Sequence, residues 1–203
     1  YPEYIANRKC SGEPQYWAYL KGMLSGRYTF PKPKIQRATK DQAPEIANLI
    51  MMAMTDECCQ YFCGEGYGLD DFRKMMISLV EADVSQYSYK NTLVAMDGKK
   101  VVGVAVSYDG GRLRKLRRAF IAAAKEYLGK DHTGMDDETQ SGELYLDSLA
   151  VLPEYRRQGI AKKLVMTTKK KAEKMHLPCV GLLVDKDNKL RSEERRVGKE
   201  CRS

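Results

Sequence analysis

Histidine is nearly absent: the 203 residues contain two, with one tryptophan and four phenylalanines. So few imidazoles leave little for a histidine-built metal centre. The six cysteines (Cys10, Cys58, Cys59, Cys63, Cys179, Cys201) show no paired CxxC spacing, so neither a zinc site nor any other bound metal is expected. No apolar run reaches the length of a membrane span, so a helix crossing a membrane is not expected. No secretory signal precedes the body, and the first residue is Tyr1 rather than Met, so the chain reads as a fragment or a processed product. A reduced, cytoplasmic protein is the expectation. No internal repeat is visible.

What the chain does have is a 43% apolar composition, enough for one domain with a real core. It also has a formal charge of +8, which fits a nucleic acid, a phosphorylated cofactor, or simply a solvated lysine-rich surface. Part of that charge sits in residues 191–203. These carry five basic and three acidic residues, so residues 1–190 have a charge of +6. The tail has no apolar periodicity and resembles the in-frame translation of a sequencing adapter, so it is set apart as non-native. Residues 1–33 form a segment of unknown role, in which Tyr16, Trp17, Tyr19 and Leu20 could make one turn of a packing helix before Pro31 and Pro33.

The body, residues 34–190, begins with a short strand from Lys34 to Ala38. Thr39-Lys-Asp-Gln42 then has the form of a capping box, Pro44 falls near a first helical turn, and Ile46, Leu49, Ile50 and Ala53 recur at helical spacing. Leu69 to Ala82 is a second helical stretch, with Phe72, Met75, Met76 and Leu79 on a core face. Asn91–Met96 and Lys100–Tyr108 read as a hairpin around Asp97-Gly98. Residues 109–142 are insertion-like. They hold a helical pattern (Leu113, Leu116, Phe120, Ile121, Ala124, Leu128) whose first turns are crowded by Arg112, Arg114, Lys115, Arg117 and Arg118, against the helix dipole. The stretch ends in an acidic loop, Asp136-Asp137-Glu138.

Glu143 to Leu152 reads as a buried strand, with Glu143, Tyr145 and Asp147 on one face by the period of two. After Pro153-Glu-Tyr155 comes Arg156-Arg-Gln-Gly-Ile-Ala161 and an amphipathic helix. Its buried stripe is Ile160, Leu164, Val165, Ala172 and Met175; its wet face is Lys162, Lys163, Lys169, Lys170, Lys171 and Lys174. A strand, a short glycine-containing loop and a helix start make an anion site, because the first N–H groups of a helix have no internal partner and the dipole is positive there. Gly159 and Ala161 leave room for a phosphate at the backbone, and Arg156 and Arg157 add charge. A pyrophosphate suits such a pocket.

The loop matches [Gln/Arg]-x-x-Gly-x-[Gly/Ala] and so resembles the GNAT superfamily of N-acetyltransferases. Leu149-Ala-Val-Leu-Pro-Glu-Tyr155 before it and Cys179-Val-Gly-Leu-Leu-Val184 after it are similar to that family's flanking strands. The resemblance implies an α+β (α/β) fold with a central mixed, mostly antiparallel sheet flanked by helices, here lacking its C-terminal helix and last strands. It implies acetyl-CoA as co-substrate. Leu149, Ala150 and Val151 would hold the pantetheine arm through main chain, and Arg156, Arg157, Gln158, Gly159, Ile160 and Ala161 would hold the pyrophosphate, with Asn188 at the start of the next helix. It also implies direct attack by an amine, with an oxyanion donor near Leu149. The family commonly has a Glu general base where this chain has Tyr145. Asp147 is the first choice for the base here and Glu143 the second, with Tyr145 ordering a water. The family's acidic Tyr falls at Arg195 of the tail, and Tyr127 or Tyr155 would have to substitute.

The expected activity is therefore acetyl transfer to a primary amine, on a small molecule or a protein, with a homodimer compatible and the acidic loop suited to a cationic acceptor. The alternative is an acetyl-CoA-binding module without turnover. Nucleic acid is not the expected partner, because no aromatics are interleaved with the arginines of residues 112–118.

Overall fold

A computed structural model describes residues 33–183. The expectations placed on Tyr16, Trp17, Tyr19, Leu20, Asn188 and the 191–203 tail lie outside the described residues.

Strand β1 (Lys34–Arg37) leads into the Thr39 turn, where the Gln42 side chain accepts the Thr39 N–H at 3.0 Å as the capping-box pattern predicts. Helix α1 (Ala43–Met54) follows, with Pro44 in its first turn and Ile46, Leu49 and Ile50 buried. Helix α2 (Asp56–Phe62) was not anticipated. It is only seven residues long, too short to show a period. Thr55 starts it, in the left-handed region at φ 74°, with its hydroxyl accepting the Cys58 N–H at 3.4 Å. Helix α3 (Leu69–Glu81) buries the Phe72, Met75, Met76 and Leu79 stripe as expected.

Strands β2 (Thr92–Asp97) and β3 (Lys100–Asp109) form the hairpin. Its register pairs Asp97 with Lys100, so the two-residue loop is Gly98-Lys99, one position later than the Asp97-Gly98 reading. Gly98 has φ 58°, the left-handed geometry that a two-residue turn of this kind demands. Helix α4 (Leu113–Leu128) fills the insertion-like stretch and stops at Gly129, φ 61°. Strand β4 (Glu143–Val151), helix α5 (Ile160–Lys174) and strand β5 (Cys179–Gly181) complete the described body.

The sheet order is β1-β2-β3-β4-β5, antiparallel throughout except for the parallel β4–β5 pair. This is the mixed, mostly antiparallel sheet that the resemblance implied. Helices α1 to α4 cover one face, where Ile46, Ile50, Phe72 and Phe120 pack on Val94, Val104, Val106 and Ala150. Helix α5 covers the other, where Ile160 and Leu164 pack on Leu93, Ala95, Ala105, Leu146 and Val151.

Two expectations about α5 are corrected. Its buried stripe is Ile160, Leu164, Thr168 and Ala172, one straight line four residues apart, while Met175 is exposed. Lys171 does not belong to the wet face. Its ammonium turns under the sheet and donates to Ser107 O (2.6 Å), Ser107 Oγ (3.0 Å) and Asn91 O (3.2 Å). A lysine reads as surface in any pattern, but its long stem lets the amine reach carbonyls beneath a core face. No helix among the described residues is long and apolar enough to cross a membrane.

Candidate active site

Everything in the site is organised by how β4 pairs with its two neighbours. Along β3 the register runs Val106↔Ser148 and then Ser107↔Leu146, so Asp147 is an extra residue, a β-bulge. The bulge breaks the period of two on which the common face of Glu143, Tyr145 and Asp147 was read. Leu146 and Leu149, three apart, both face α5, while Tyr145 and Ala150 face α1 to α4. A bulge re-aims a side chain, and here it turns the Asp147 carboxylate into a polar pocket. Tyr108 Oη donates to Oδ2 at 3.0 Å, Gln86 Nε2 donates to the same oxygen at 3.5 Å, and Ser148 Oγ donates to Oδ1 at 2.9 Å. Burial, and then the nearby Glu138 charge, push the Asp147 carboxyl up to about 6, against these three hydrogen bonds. A carboxylate poised there can take a proton near neutral pH.

The neighbouring phenols are held protonated. Burial first, and then the charge of Asp147, raise Tyr108 far above the ordinary phenol range; burial followed by Glu138 does the same for Tyr145. Their rings lie 5.8 Å apart across the β3–β4 ladder, roofed by Leu113 and Leu116 of α4. Glu143, the second choice for a base, is placed otherwise. Its Oε1 accepts the Gln140 N–H at 3.0 Å, and its carboxylate lies against Gly181, where any Cβ would collide with it. It ties the end of the 136–142 loop to the junction of β4 and β5. Sequence reasoning missed Tyr108 and Gln86. Tyr108 becomes visible only once the β3–β4 register is known, and Gln86 sits in a loop with no periodic signal.

The other edge of β4 opens. Strand β5 pairs only Glu143, Leu144 and Tyr145, and Leu182 and Leu183 have already left the ladder. The Leu152 N–H donates to Val102 O at 2.9 Å, one step beyond the Gly103↔Val151 pair. In an antiparallel ladder, Leu152, Ala150 and Ser148 therefore turn their main-chain groups to β3, while Val151 and Leu149 turn theirs to the open side. Among the described residues no strand meets them there. The Val151 carbonyl accepts Arg156 Nε at 3.1 Å.

That contact folds Arg156 back onto the strand end rather than into the loop. Arg157 (φ 59°) and Gly159 (φ 76°) both adopt left-handed backbone, and Gln158 Nε2 donates to Glu154 O at 3.3 Å. The turn delivers the chain to α5 with the Ile160, Ala161 and Lys162 amides at its head, where a helix has no acceptor of its own to offer. Ile160 itself is buried in the α5 core, so only its backbone is available. A Cβ at Gly159 would meet nothing within 4 Å, so space above the loop is open. Open strand edge and helix head together fit an extended amide-bearing arm ending in phosphates. Among the described residues no group of three or more His, Cys, Asp or Glu side chains is placed to hold a metal ion.

The model of the acetyltransferase (GNAT) family matches residues 65–191. The chain belongs to that family. Two solved structures of similar fold are an acetyltransferase, 22% identical over 82% of this chain and 87% of that one with a TM-score of 0.67, and an N-acetyltransferase from Staphylococcus aureus Mu50, 22% identical over 82% and 88% with a TM-score of 0.62. A possible acetyltransferase from Clostridium difficile 630 has a TM-score of 0.50 at 19% identity, over 83% of this chain and 90% of that one. No curated protein matches the chain in sequence. The GNAT chain described here is thus an acyltransferase of the N-acetyltransferase type, with the fold that its strand–loop–helix segment implied.

Proposed function

We propose that the protein transfers the acetyl group of acetyl-CoA to a primary amine by direct attack, with Asp147 as the general base. The observation that carries this is the bulge at Asp147, which sets a carboxylate of raised pKa on the same strand whose following residues, unpaired among the described residues, run on toward the loop before α5. In this reading the Leu149 and Val151 main chain holds the pantetheine arm, and the backbone from Arg157 to Ala161 holds the pyrophosphate, with Arg157 adding charge. Ala150 packs in the core beneath the arm. Arg156 shapes the loop through Val151, and Asn188 remains a proposed contact at the start of the next segment.

The amine nitrogen bonds to the thioester carbonyl carbon, the carbon–sulfur bond breaks, and its electron pair leaves on sulfur. The amine proton passes to Asp147 and from there to solvent, and the thiolate, a good leaving group, is protonated in turn. Holding amine and thioester in line supplies much of the rate, and a main-chain N–H near Leu149 stabilises the oxyanion. Tyr108 and Tyr145, held neutral, can order a water between amine and base. The acceptor class is a small or protein amine carrying positive charge. The test is thiol release from acetyl-CoA across a panel of amines, with mass spectrometry of the acceptor. Tight acetyl-CoA binding with no thiol release and no acetylated product would overturn the reading in favour of a binding module.

A further inference from the structure

Arg117 lies in α4 with its side chain 5% exposed, yet it is not a core residue. Its Nη1 donates to the carbonyls of Asp136 (2.8 Å) and Met135 (3.4 Å), and its Nη2 donates to Glu138 Oε1 at 3.1 Å. Asp137 approaches the same guanidinium at 3.6 Å and is held from outside by Arg114 at 2.7 Å. Two of the five basic residues in the first turns of α4, Arg114 and Arg117, therefore face the acidic loop. One donor, Nε, is buried with no hydrogen-bond partner among the described residues. An orphaned buried donor costs stability, and a shorter or apolar side chain would avoid that cost. The position is not chosen for stability alone.

What the clamp holds in place is Glu138. One residue before Arg117, Leu116 packs with Leu113 on Tyr108 and Tyr145, the phenols that border Asp147. The far end of the loop is pinned by Thr139 Oγ1 to Gly110 O (2.8 Å) and by the Gln140 N–H to Glu143. Glu138 is thus fixed from both sides, close enough to Asp147, Tyr108 and Tyr145 for its charge to act on all three.

We propose that Arg117 is a positioning residue for acetyl transfer: by clamping residues 135–138 it fixes the Glu138 carboxylate at the mouth of the Asp147 pocket, where Glu138 meets the incoming ammonium. This rests on the reading of Asp147 as the base. The groups facing Asp147 are Tyr108 from β3, Tyr145 from β4, Gln86 and Tyr87 from the loop before β2, and Glu138; Arg117 faces the same cluster through Glu138. Removing the Glu138 charge therefore makes Asp147 easier to ionise.

The experiment uses the full chain with Glu138→Gln, Arg117→Met, Arg117→Lys and the Glu138→Gln/Arg117→Met double variant. Glu138→Gln is expected to raise the amine KM about tenfold while leaving that of acetyl-CoA unchanged, and to move the acid limb of kcat/KM to lower pH. Arg117→Met is expected to raise the amine KM by a similar factor and to add nothing in the Glu138→Gln background. Arg117→Lys, which keeps the charge and the fold, should fall between. Multiplicative effects in the double variant, or an unmoved acid limb in Glu138→Gln, overturn the proposal. Carbon NMR titration of the Asp147 carboxyl in wild type and Glu138→Gln reads the same coupling without turnover. A chain that transfers nothing therefore counts against the proposed function, while an unshifted Asp147 counts against this inference alone.

Discussion

Asp147 carries opposite consequences for activity and for stability. Its carboxyl titrates at about 6 in the folded chain, above the ordinary aspartate value of ~3.9. An acid whose pKa is raised by folding contributes stability below its unfolded pKa, and that contribution is lost as pH rises through the folded value. Asp147→Asn, which cannot ionise and still accepts the Tyr108 hydroxyl, should therefore resist denaturant better than wild type above pH ~6 and equally well below pH ~4. The same change should lower kcat by roughly 100-fold or more, the usual worth of a general base. Chemical denaturation and steady-state kinetics on one preparation check both halves. Lys171 has the mirror-image behaviour. Burial, with Arg37 nearby, lowers its amine to about 8, so the folded chain gains stability as pH rises from there toward the unfolded lysine value of ~10.4. Lys171→Met should abolish that gain, which denaturation midpoints of the two proteins across the window would show.

The elements differ in how plainly the sequence announced them. Helices α1, α3 and α4 were legible because each is long enough to repeat its apolar face, and the capping-box residue Gln42 marks an end that the structure keeps. Helix α2 was not, because its seven residues follow a left-handed Thr55 that no pattern advertises. The β4 strand was legible in extent but not in phase: a bulge adds one residue without changing composition, so the faces of Asp147 and Ser148 could not be told apart from alternation. The glycine loop before α5 was the clearest feature, since glycine before a helix has a backbone reason to be there. Gly159 sits at φ 76° with nothing within 4 Å of a would-be Cβ, so Gly159→Val strains the backbone without a clash. The cost to folding should be about 1–2 kcal/mol. The loss of acetyl-CoA affinity should exceed it, because the added branches stand where a phosphate would approach. Calorimetric titration beside a thermal melt separates the two.

At the scale of the whole molecule, helices α1 to α4 on one face and α5 on the other meet through one sheet, and the proposed substrate would enter where that sheet comes apart. Acetyl-CoA at a hundredfold excess over its Kd should raise unfolding stability by about 2.7 kcal/mol. In hydrogen exchange the amides of Leu149 and Val151 should slow on binding, while those of Ser148 and Ala150, already turned to β3, should change little. Either amide pair behaving the other way would contradict the register argued above. The edge of β4, which no strand meets among the described residues, also bears on how the protein keeps to itself. Unpaired strand edges invite other polypeptides to add on. This one starts at an inside corner, because β5 seals its first three residues and then diverges at Leu182. A foreign strand needs a clear run along a rim to begin its ladder; a thin, flexible arm can slip into a corner. The wedge therefore discriminates by girth, keeping hungry backbone groups available to a slender ligand while denying them to another chain.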